Sequence, residues 1–199
     1  MIRLLLATRN DGKVREIRGL LADQPIRLET LASHPEVGDV DETGKTFDEN
    51  ARLKAAHAAG KTGLWTIAED SGLEVDALDG APGVRSARYA GIHGDDQANN
   101  SKLLRNLEDE ENRTARYVCV MVLAAPDGTV VATTRGTCEG HILEAPRGKR
   151  GFGYDPVFVA EHMDRSMAEL DTAEKEAISH RGQAVRAFIP VIRAHLERA

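Results

Sequence analysis

Two adjacent carboxylates, Glu69 and Asp70, directly follow a short apolar run that ends at Ala68. A charged side chain is disfavoured inside a strand, so a carboxylate pair at the end of one is typical of a site that holds a cation or a water molecule. The alternative is a plain turn, because the next residues, Ser71 and Gly72, are common in turns. We therefore expect a strand that ends at Ala68 and a candidate metal site directly after it.

Thr8, Asn10 and Lys13 lie at the junction between a predicted strand, residues 2–7, and a predicted helix. The N-terminus of a helix offers free backbone N–H groups and a partial positive charge, which attract phosphate. The three side chains add donors and a charge, although their spacing is not that of a Walker loop. The alternative is an ordinary helix cap, with Asn10 or Asp11 as the capping residue and Lys13 in solvent.

A second cluster combines Glu42 with a helix that a capping box at Thr46 and Glu49 predicts. Asn50 and Lys54 are four residues apart, so they share one face of that helix. A lysine on an otherwise apolar face either extends its amine to solvent or reaches into a site. We expect Glu49 to complete the capping box rather than to bind a ligand.

A basic, glycine-rich run at residues 147–156 contains Phe152 and Tyr154, in a chain with only eight aromatic residues. Glycine beside an aromatic ring lets a flat ligand come close, and a base stacked on such a ring contributes about 1–3 kcal/mol. The alternative is a solvated basic loop that leads into a core strand.

His180 and Arg181 follow Ser179 at a predicted helix start, with Lys175 four residues before Ser179. The planar fork of the arginine suits a carbonyl or a phosphate group. The alternative is a helix cap with a flanking charge. These two interpretations stay open on the residues alone.

Together these motifs describe a nucleotide site, and they resemble those of the inosine triphosphate pyrophosphatase family. The matching segments run in order through nearly the whole chain, at residues 8–13, 42–55, 69–73, 80–89, 151–158 and 174–182. Members of that family hydrolyse aberrant purine nucleoside triphosphates to the monophosphate and pyrophosphate, need Mg²⁺ and are usually homodimers. Two positions depart from the family pattern, Arg9 where a small residue is common and Glu69 where Asp is frequent.

The resemblance implies an α/β fold, a single elongated domain over residues 1–199 with a mixed twisted sheet, two lobes and a central active-site cleft. It implies that Glu42 and Asp70 hold Mg²⁺ and that Asp70 also orients or deprotonates the attacking water. Lys54 would stabilise the charge that grows at the α-phosphate. The implied triphosphate-binding loop consists of Thr8, Arg9, Asn10, Asp11, Gly12 and Lys13.

The other implied substrate-binding residues are Ser71, Phe152, Gly153, Tyr154, Asp155, Lys175, His180 and Arg181. Phe152 would stack on the base. The residues that would read the edge of the base are Asp155, Lys175, His180 and Arg181. The resulting hypothesis is a Mg²⁺-dependent enzyme that hydrolyses ITP, dITP and XTP.

Two other functions stay open. A pyrophosphatase of related fold could act on modified pyrimidine nucleotides, although the pair His180 and Arg181 suits a 6-oxo purine better. A nucleotide-binding sensor without catalysis would need neither Asp70 nor Lys54. A pyrophosphate-release assay with Mg²⁺ separates the sensor from the enzymes.

Composition limits the class of protein. The 199 residues are 41% hydrophobic and 29% charged, which predicts a soluble globular domain with one substantial core. The net charge of −6 argues against broad nucleic-acid binding. No apolar run approaches the ~20 residues of a membrane helix and no signal-peptide pattern is present, so we expect a cytoplasmic protein without a membrane partner. Cys119 and Cys138 could pair, but we expect two reduced core thiols.

Helix and strand signals alternate along the chain, which predicts a mixed-sheet α/β or α+β domain. A turn at Pro126-Asp127-Gly128 predicts a hairpin. The remaining predicted strands are residues 2–7, a strand ending at Ala68, residues 73–78 and residues 154–159. The first predicted helix follows Gly12, the second runs from Phe47 until Gly60 and Gly63 end it, and the third spans residues 98–107. Two further helices start at Asp171 and Ser179, and the last one reaches Leu196 with a kink at Pro190.

Overall fold

The computed structural model describes residues 2–196, which form six strands and five α-helices joined by loops and short 3₁₀ turns. The strands are β1 (Ile2–Leu6), β2 (Ile26–Thr30), β3 (Thr66–Val75), β4 (Thr114–Ala124), β5 (Val130–Ile142) and β6 (Phe158–Ala160). The helices are α1 (Asp11–Leu20), α2 (Phe47–Thr62), α3 (Asp96–Asn106), α4 (Thr172–Ile178) and α5 (His180–Leu196).

All six strands belong to one sheet with the order β2-β1-β3-β4-β5-β6. The sheet is mixed, as predicted. Strand β1 runs parallel to β2 and to β3, with Leu5 opposite Thr66. Strand β6 runs antiparallel to β5, with His141 opposite Val159. The α/β class with a mixed sheet is therefore confirmed.

Two compact units divide the chain. The first unit contains Met1–Asp70, Cys119–Gly136 and Arg181–Ala199, and the second contains Ser71–Val118 and Thr137–His180. The core of the first unit joins apolar residues of β1, β3, β4, α1 and α5, among them Leu6, Ile67, Met121 and Phe188. The core of the second unit is built around Leu103, Tyr117 and Phe158.

Both cysteines are buried and free, as predicted. Burial raises the pKa of the Cys119 thiol, and it raises the pKa of Cys138 to about 11. Both are therefore neutral core thiols near neutral pH.

Among residues 2–196, no helix combines the length and the apolar character that crossing a bilayer would require.

The strand predicted to end at Ala68 does not end there. Strand β3 continues without interruption to Val75, and the residues after it form a 3₁₀ turn, Asp76–Leu78, instead of the strand end predicted there. Glu69 and Asp70 therefore lie inside a strand. The prediction was wrong because it took the two charges for a strand end, whereas cationic side chains from other elements surround them.

Three smaller boundaries also differ from the predictions. Gly60 lies inside α2, and the helix ends instead at Gly63, whose φ of +65° provides the left-handed C-cap. Strand β6 begins at Phe158, four residues later than predicted, because turns occupy residues 154–157. Asp11 and Gly12, which lie before the predicted start of the first helix, belong to the first turn of α1.

Candidate active site

The carboxylates of Glu69 and Asp70 have different surroundings because successive side chains of a strand point to opposite faces. Asp70 meets residues of α2, whereas Glu69 meets α1 and the start of α5. Both side chains are buried, with Glu69 fully so. One dipeptide of β3 thus contributes to two neighbouring charged clusters in the first unit.

Lys54 joins two carboxylates. Its Nζ donates to Asp70 Oδ1 at 2.8 Å and lies 3.2 Å from Glu42 Oε1. The lysine side chain is only 12% exposed, so it reaches into a site and does not extend to solvent. Asn50, one helical turn earlier, points its Nδ2 to Asp70 Oδ2 at 3.4 Å, which confirms that the two α2 residues share a face.

Local hydrogen bonds fix this face of α2. The capping box predicted at Thr46 and Glu49 is present, so the carboxylate of Glu49 is used on backbone N–H groups. The backbone N–H of Gly44 donates to Asn50 Oδ1 at 2.8 Å, which turns the NH₂ of the same amide toward Asp70. A Cβ at Gly44 would lie 2.6 Å from Asn50 Oδ1, so a side chain there would displace the amide.

The electrostatics of this cluster suit proton transfer. Burial raises the pKa of Asp70 above its ordinary value, even though Lys54 stabilises the charged form. Burial opposes the charge on Lys54, but the carboxylates of Asp70 and Glu42 prevail and raise its pKa. The site therefore holds a permanent cation beside a carboxylate that is more basic than usual.

Glu69 lies between two cations. Its Oε1 is 3.0 Å from Lys13 Nζ and 3.3 Å from Arg181 Nη2, and Glu16 accepts from Arg181 Nη1 at 2.5 Å. Burial opposes ionisation of Glu69, but the charges of Lys13 and Arg181 hold its pKa well below the usual range. These partners explain how β3 accommodates a charge in its interior. The sulfur of Cys119 also lies near the carboxylate.

The loop before α1 contains an ordinary helix cap, but Lys13 does not fit the interpretation of a simple cap. Asn10 Oδ1 accepts from the backbone N–H of Lys13 at 3.0 Å, and Thr8 Oγ1 accepts from that of Asn10 at 3.2 Å. Asn10 is thus the capping residue, as the alternative interpretation held. Lys13 is not in solvent, because its amine is bound to Glu69.

Arg9, one of the two departures from the family pattern, connects this loop to the next one. Its Nε donates to Asp39 Oδ1 at 2.8 Å and its Nη2 to the carbonyl oxygen of Gly38 at 2.9 Å. The pair is exposed, so it contributes at most about 1 kcal/mol. Its effect is to restrain the loop rather than to stabilise the fold.

A further group of side chains, the Asp155 cluster, forms in the second unit. Asp155 is 2% exposed, and its Oδ2 accepts from the backbone N–H of Phe152 at 3.0 Å and from Lys175 Nζ at 2.5 Å. Tyr117 Oη lies 3.4 Å from the other oxygen. The amine of Lys175 also lies 5.0 Å from the centre of the Phe152 ring, within range of a cation–π contact.

Glycines shape the loop that carries Phe152. Gly151 has a φ of +75°, and a Cβ there would collide with the carboxylate of Asp155. Gly153 has a φ of +63°. Tyr154 is buried and donates through its hydroxyl to the carbonyl oxygen of Ser86 at 2.8 Å, so it holds the loop and its phenol is not in solvent.

His180 and Arg181, the first residues of α5, have different neighbours. The imidazole of His180 stacks on the ring of Tyr117 with centroids 4.6 Å apart and an angle of 6°. The guanidinium of Arg181 contacts Glu16 and Glu69. Ser71, half-buried, follows Asp70 in β3.

Sequence reasoning missed four residues that contact the candidate site residues, namely Glu16, Asp96, Asn100 and Tyr117. Glu16 had a usable signal, because it is three residues after Lys13 on one helix face. Asp96 lies before the predicted start of α3 at residue 98 and was left outside the helix. Tyr117 had none, since its contact with His180 joins residues far apart in sequence.

The first unit therefore offers carboxylates and cations of the kind that hold phosphates and metal ions. The second offers an aromatic ring beside a cation and a carboxylate, of the kind that holds a flat heterocycle. Within residues 2–196, no group of three or more His, Cys, Asp or Glu side chains forms a self-contained metal cage. A metal ion at Glu42 and Asp70 would thus need oxygen ligands from elsewhere.

Comparisons with known proteins agree with this chemistry. A dITP/XTP pyrophosphatase of an Exiguobacterium species is 52% identical over 93% of this chain and 94% of its own. One of the same name from Streptomyces coelicolor is 52% identical over 97% of this chain and 98% of its own. A HAM1 protein from Coxiella burnetii superposes with a TM-score of 0.89 at 43% identity, covering 98% of this chain and 100% of its own. The Ham1 family profile matches residues 4–191. This chain belongs to the Ham1 family.

Proposed function

We propose that this protein hydrolyses the non-standard purine nucleoside triphosphates ITP, dITP and XTP to the monophosphate and pyrophosphate. The observation that carries the proposal is the buried Lys54, whose amine contacts both Asp70 and Glu42. A buried cation held between two carboxylates is suited to a reaction at a phosphate. The relatives named dITP/XTP pyrophosphatase support the choice of substrate.

Mg²⁺ fits the donor set of the first unit. Glu42 and Asp70 provide carboxylate oxygens, and Mg²⁺ is usually bound by one or two carboxylates together with phosphates of the substrate rather than by an all-protein cage. When bound, the ion would neutralise phosphate oxygens and polarise the phosphorus they surround. These two residues would hold it.

The residues of the chain account for the proton and the charge. Asp70 accepts a proton from water as the water oxygen bonds to the α-phosphorus. The bond from that phosphorus to the bridging oxygen breaks, and pyrophosphate leaves with the electron pair. Lys54 donates to the α-phosphate oxygens, where negative charge grows. Lys13 and the free N–H groups of α1 bind the rest of the triphosphate.

Base recognition is assigned to the Asp155 cluster and to the start of α5. Phe152 stacks on the base, and Asp155, Lys175, His180 and Arg181 read its edge. Phe152 is half-buried, and an aromatic ring is the kind of platform on which a base stacks. The contacts of Arg181 with Glu16 and Glu69 support an additional role in holding Glu69.

The decisive experiment is a panel of nucleoside triphosphates assayed for pyrophosphate. We expect kcat/KM for ITP and XTP to exceed that for ATP, UTP and CTP. Preference for modified pyrimidines would favour the related-fold pyrophosphatase, and binding without turnover would favour the sensor. In ¹⁸O-labelled water the label should enter the monophosphate, whereas label in pyrophosphate or release of single phosphate would refute attack at the α-phosphate.

We further propose that the protein acts in the cytoplasm as a homodimer and that residues 1–199 fold as one domain. The family resemblance supports the homodimer and the single domain, and the proposed reaction on free nucleoside triphosphates supports the location. Light scattering at several concentrations tests the dimer, and a single unfolding transition seen alike by circular dichroism and fluorescence tests the single domain. Two separate transitions would contradict it.

A further inference from the structure

Two residues of α3 hold the backbone of Gly153 from both sides. The backbone N–H of Gly153 donates to Asp96 Oδ2 at 2.6 Å, and Asn100 Nδ2 donates to the carbonyl oxygen of Gly153 at 2.8 Å. Asp96 and Asn100 are four residues apart, so they share one face of the helix. One turn of α3 therefore hydrogen-bonds both the backbone N–H and the backbone carbonyl of Gly153.

The orientation of the Asn100 amide follows from its partners. Its Nδ2 also donates to the carbonyl oxygen of Asp96 at 2.8 Å, so both atoms that it faces are acceptors. An oxygen in that position would meet two carbonyl oxygens. Asn100 is 8% exposed, and among residues 2–196 its Oδ1 has no hydrogen-bond partner. The side chain is thus committed to the two carbonyls.

These bonds act next to the residue proposed to stack on the base. The backbone N–H of Phe152 donates to Asp155 Oδ2 at 3.0 Å, and the next N–H along the chain is the one that Asp96 accepts. Consecutive N–H groups on both sides of the Phe152 α-carbon are therefore fixed by buried or half-buried carboxylates. A glycine with a φ of +63° follows, and such a residue has no side chain of its own to hold the loop.

We propose that Asp96 and Asn100 are positioning residues that fix the Gly153 backbone and thereby set the position of the Phe152 ring for the base. The proposal rests on the proposed function, in which Phe152 stacks on the substrate base. Neither residue contacts substrate in this scheme. A ring held in place before binding loses less freedom when the base arrives, so the pair lowers KM more than it raises kcat.

Asn100→Asp tests the proposal with almost no change of shape, because it replaces the NH₂ with an oxygen that faces two carbonyl oxygens. We expect KM for ITP to rise about tenfold or more, with kcat changed less than about threefold. Hydrogen exchange in the unliganded protein should become faster in peptides that cover residues 151–155.

The matched control is Asn99→Asp on the same helix. Asn99 is also buried, but its Oδ1 accepts from the backbone N–H of Ala90 at 2.7 Å, a bond that a carboxylate preserves. Its other bond, to the carbonyl oxygen of Ala87, is long at 3.4 Å. We expect this variant to leave both KM and exchange at residues 151–155 unchanged.

Asp96 provides a second pair of variants should Asn100→Asp fail to fold. Asp96→Asn keeps an acceptor for the Gly153 N–H and should retain the wild-type KM, whereas Asp96→Ala should raise it. Unchanged exchange in Asp96→Ala, or faster exchange with an unchanged KM, would overturn the proposal. Failure of the proposed function is distinguishable, because the wild-type protein would then not hydrolyse ITP at all.

Discussion

The carboxylate of Glu69 is fully buried in β3, and its Oε1 lies 3.0 Å from the amine of Lys13 in the first turn of α1. The same oxygen lies 3.3 Å from Arg181, which brings its charge from the start of α5. Three elements of the first unit are thus joined by one buried anion. Glu69, to which the family resemblance assigned no role, thus contacts two cationic side chains.

Glu69→Gln should destabilise the fold more than it slows the reaction. Glutamine keeps the shape of the side chain but leaves Lys13 and Arg181 with less compensating charge, and breaking a buried ion pair costs about 3–5 kcal/mol. Urea unfolding measures the loss. The control is Asp48→Asn, which removes an exposed pair with Arg52 at 2.6 Å and should cost less than about 1 kcal/mol. Equal losses in the two variants would contradict the role of Glu69.

Asp70→Asn should slow the reaction more than it destabilises the fold. Asparagine retains the size of the side chain but neither accepts the proton of the attacking water nor offers an anionic oxygen to the metal. We expect turnover of ITP to fall at least about 10²-fold, with Glu69→Gln milder in turnover. Steady-state kinetics with saturating Mg²⁺ measure it, and near wild-type turnover would refute the assignment of Asp70.

Chelation should abolish activity. Carboxylates close to a triphosphate repel it unless a divalent cation intervenes. We expect no pyrophosphate release in excess chelator and full recovery when Mg²⁺ is added back. Activity that persists in chelator would show that Glu42 and Asp70 do not act through a metal ion.

Arg181→Ala separates two roles for the arginine. Adenine carries an amino donor where hypoxanthine and xanthine carry an acceptor oxygen, and Arg181 has only donors. An unpaired buried polar group costs about 1–3 kcal/mol, so a reader of the base should favour ITP over ATP by at least about tenfold. We expect the variant to lose that ratio more than it loses triphosphate binding. An unchanged ratio with lower stability would mean that Arg181 acts through Glu69, and that His180, Asp155 or the backbone beside Phe152 reads the base.

Stability should decline as pH rises above about 6.5 because of His34. Its Nε2 lies 2.9 Å from Glu29 Oε2 and its Nδ1 lies 3.0 Å from Glu36 Oε1, and these hydrogen bonds raise the pKa of His34. A raised pKa stabilises the fold fully below the unfolded value of about 6.5. That contribution is lost as pH rises through the folded-state pKa. His34→Gln should flatten this part of the curve from chemical denaturation, whereas the exposed His93→Gln should not.

The sequence was a good guide wherever the signal is local. The caps at Thr46 and Asp171 each depend on a glutamate three residues later, and both capping boxes are present. The pair Asn50 and Lys54 needed only the helical repeat to be placed on one face.

The sequence did not predict contacts between residues that are far apart in the chain. The interior position of Glu69 in β3 depends on Arg181, which is 112 residues away in the chain. No periodicity in the sequence predicts such a partner. The rule that charges avoid strand interiors therefore gave the wrong end for strand β3. The stacking of His180 on Tyr117 has the same origin in tertiary packing.

The ionic cluster around Glu69 also restricts how this sequence can change. Lys13, Glu16, Glu69 and Arg181 contribute two positive and two negative formal charges. Loss of any one leaves an odd charge in a buried place, which is costly, whereas loss of an opposite pair restores neutrality. An evolutionary path that alters one position should therefore be closed until its partner changes too. Among descendants of this chain, we expect these four residues to be replaced in compensating pairs or to persist together.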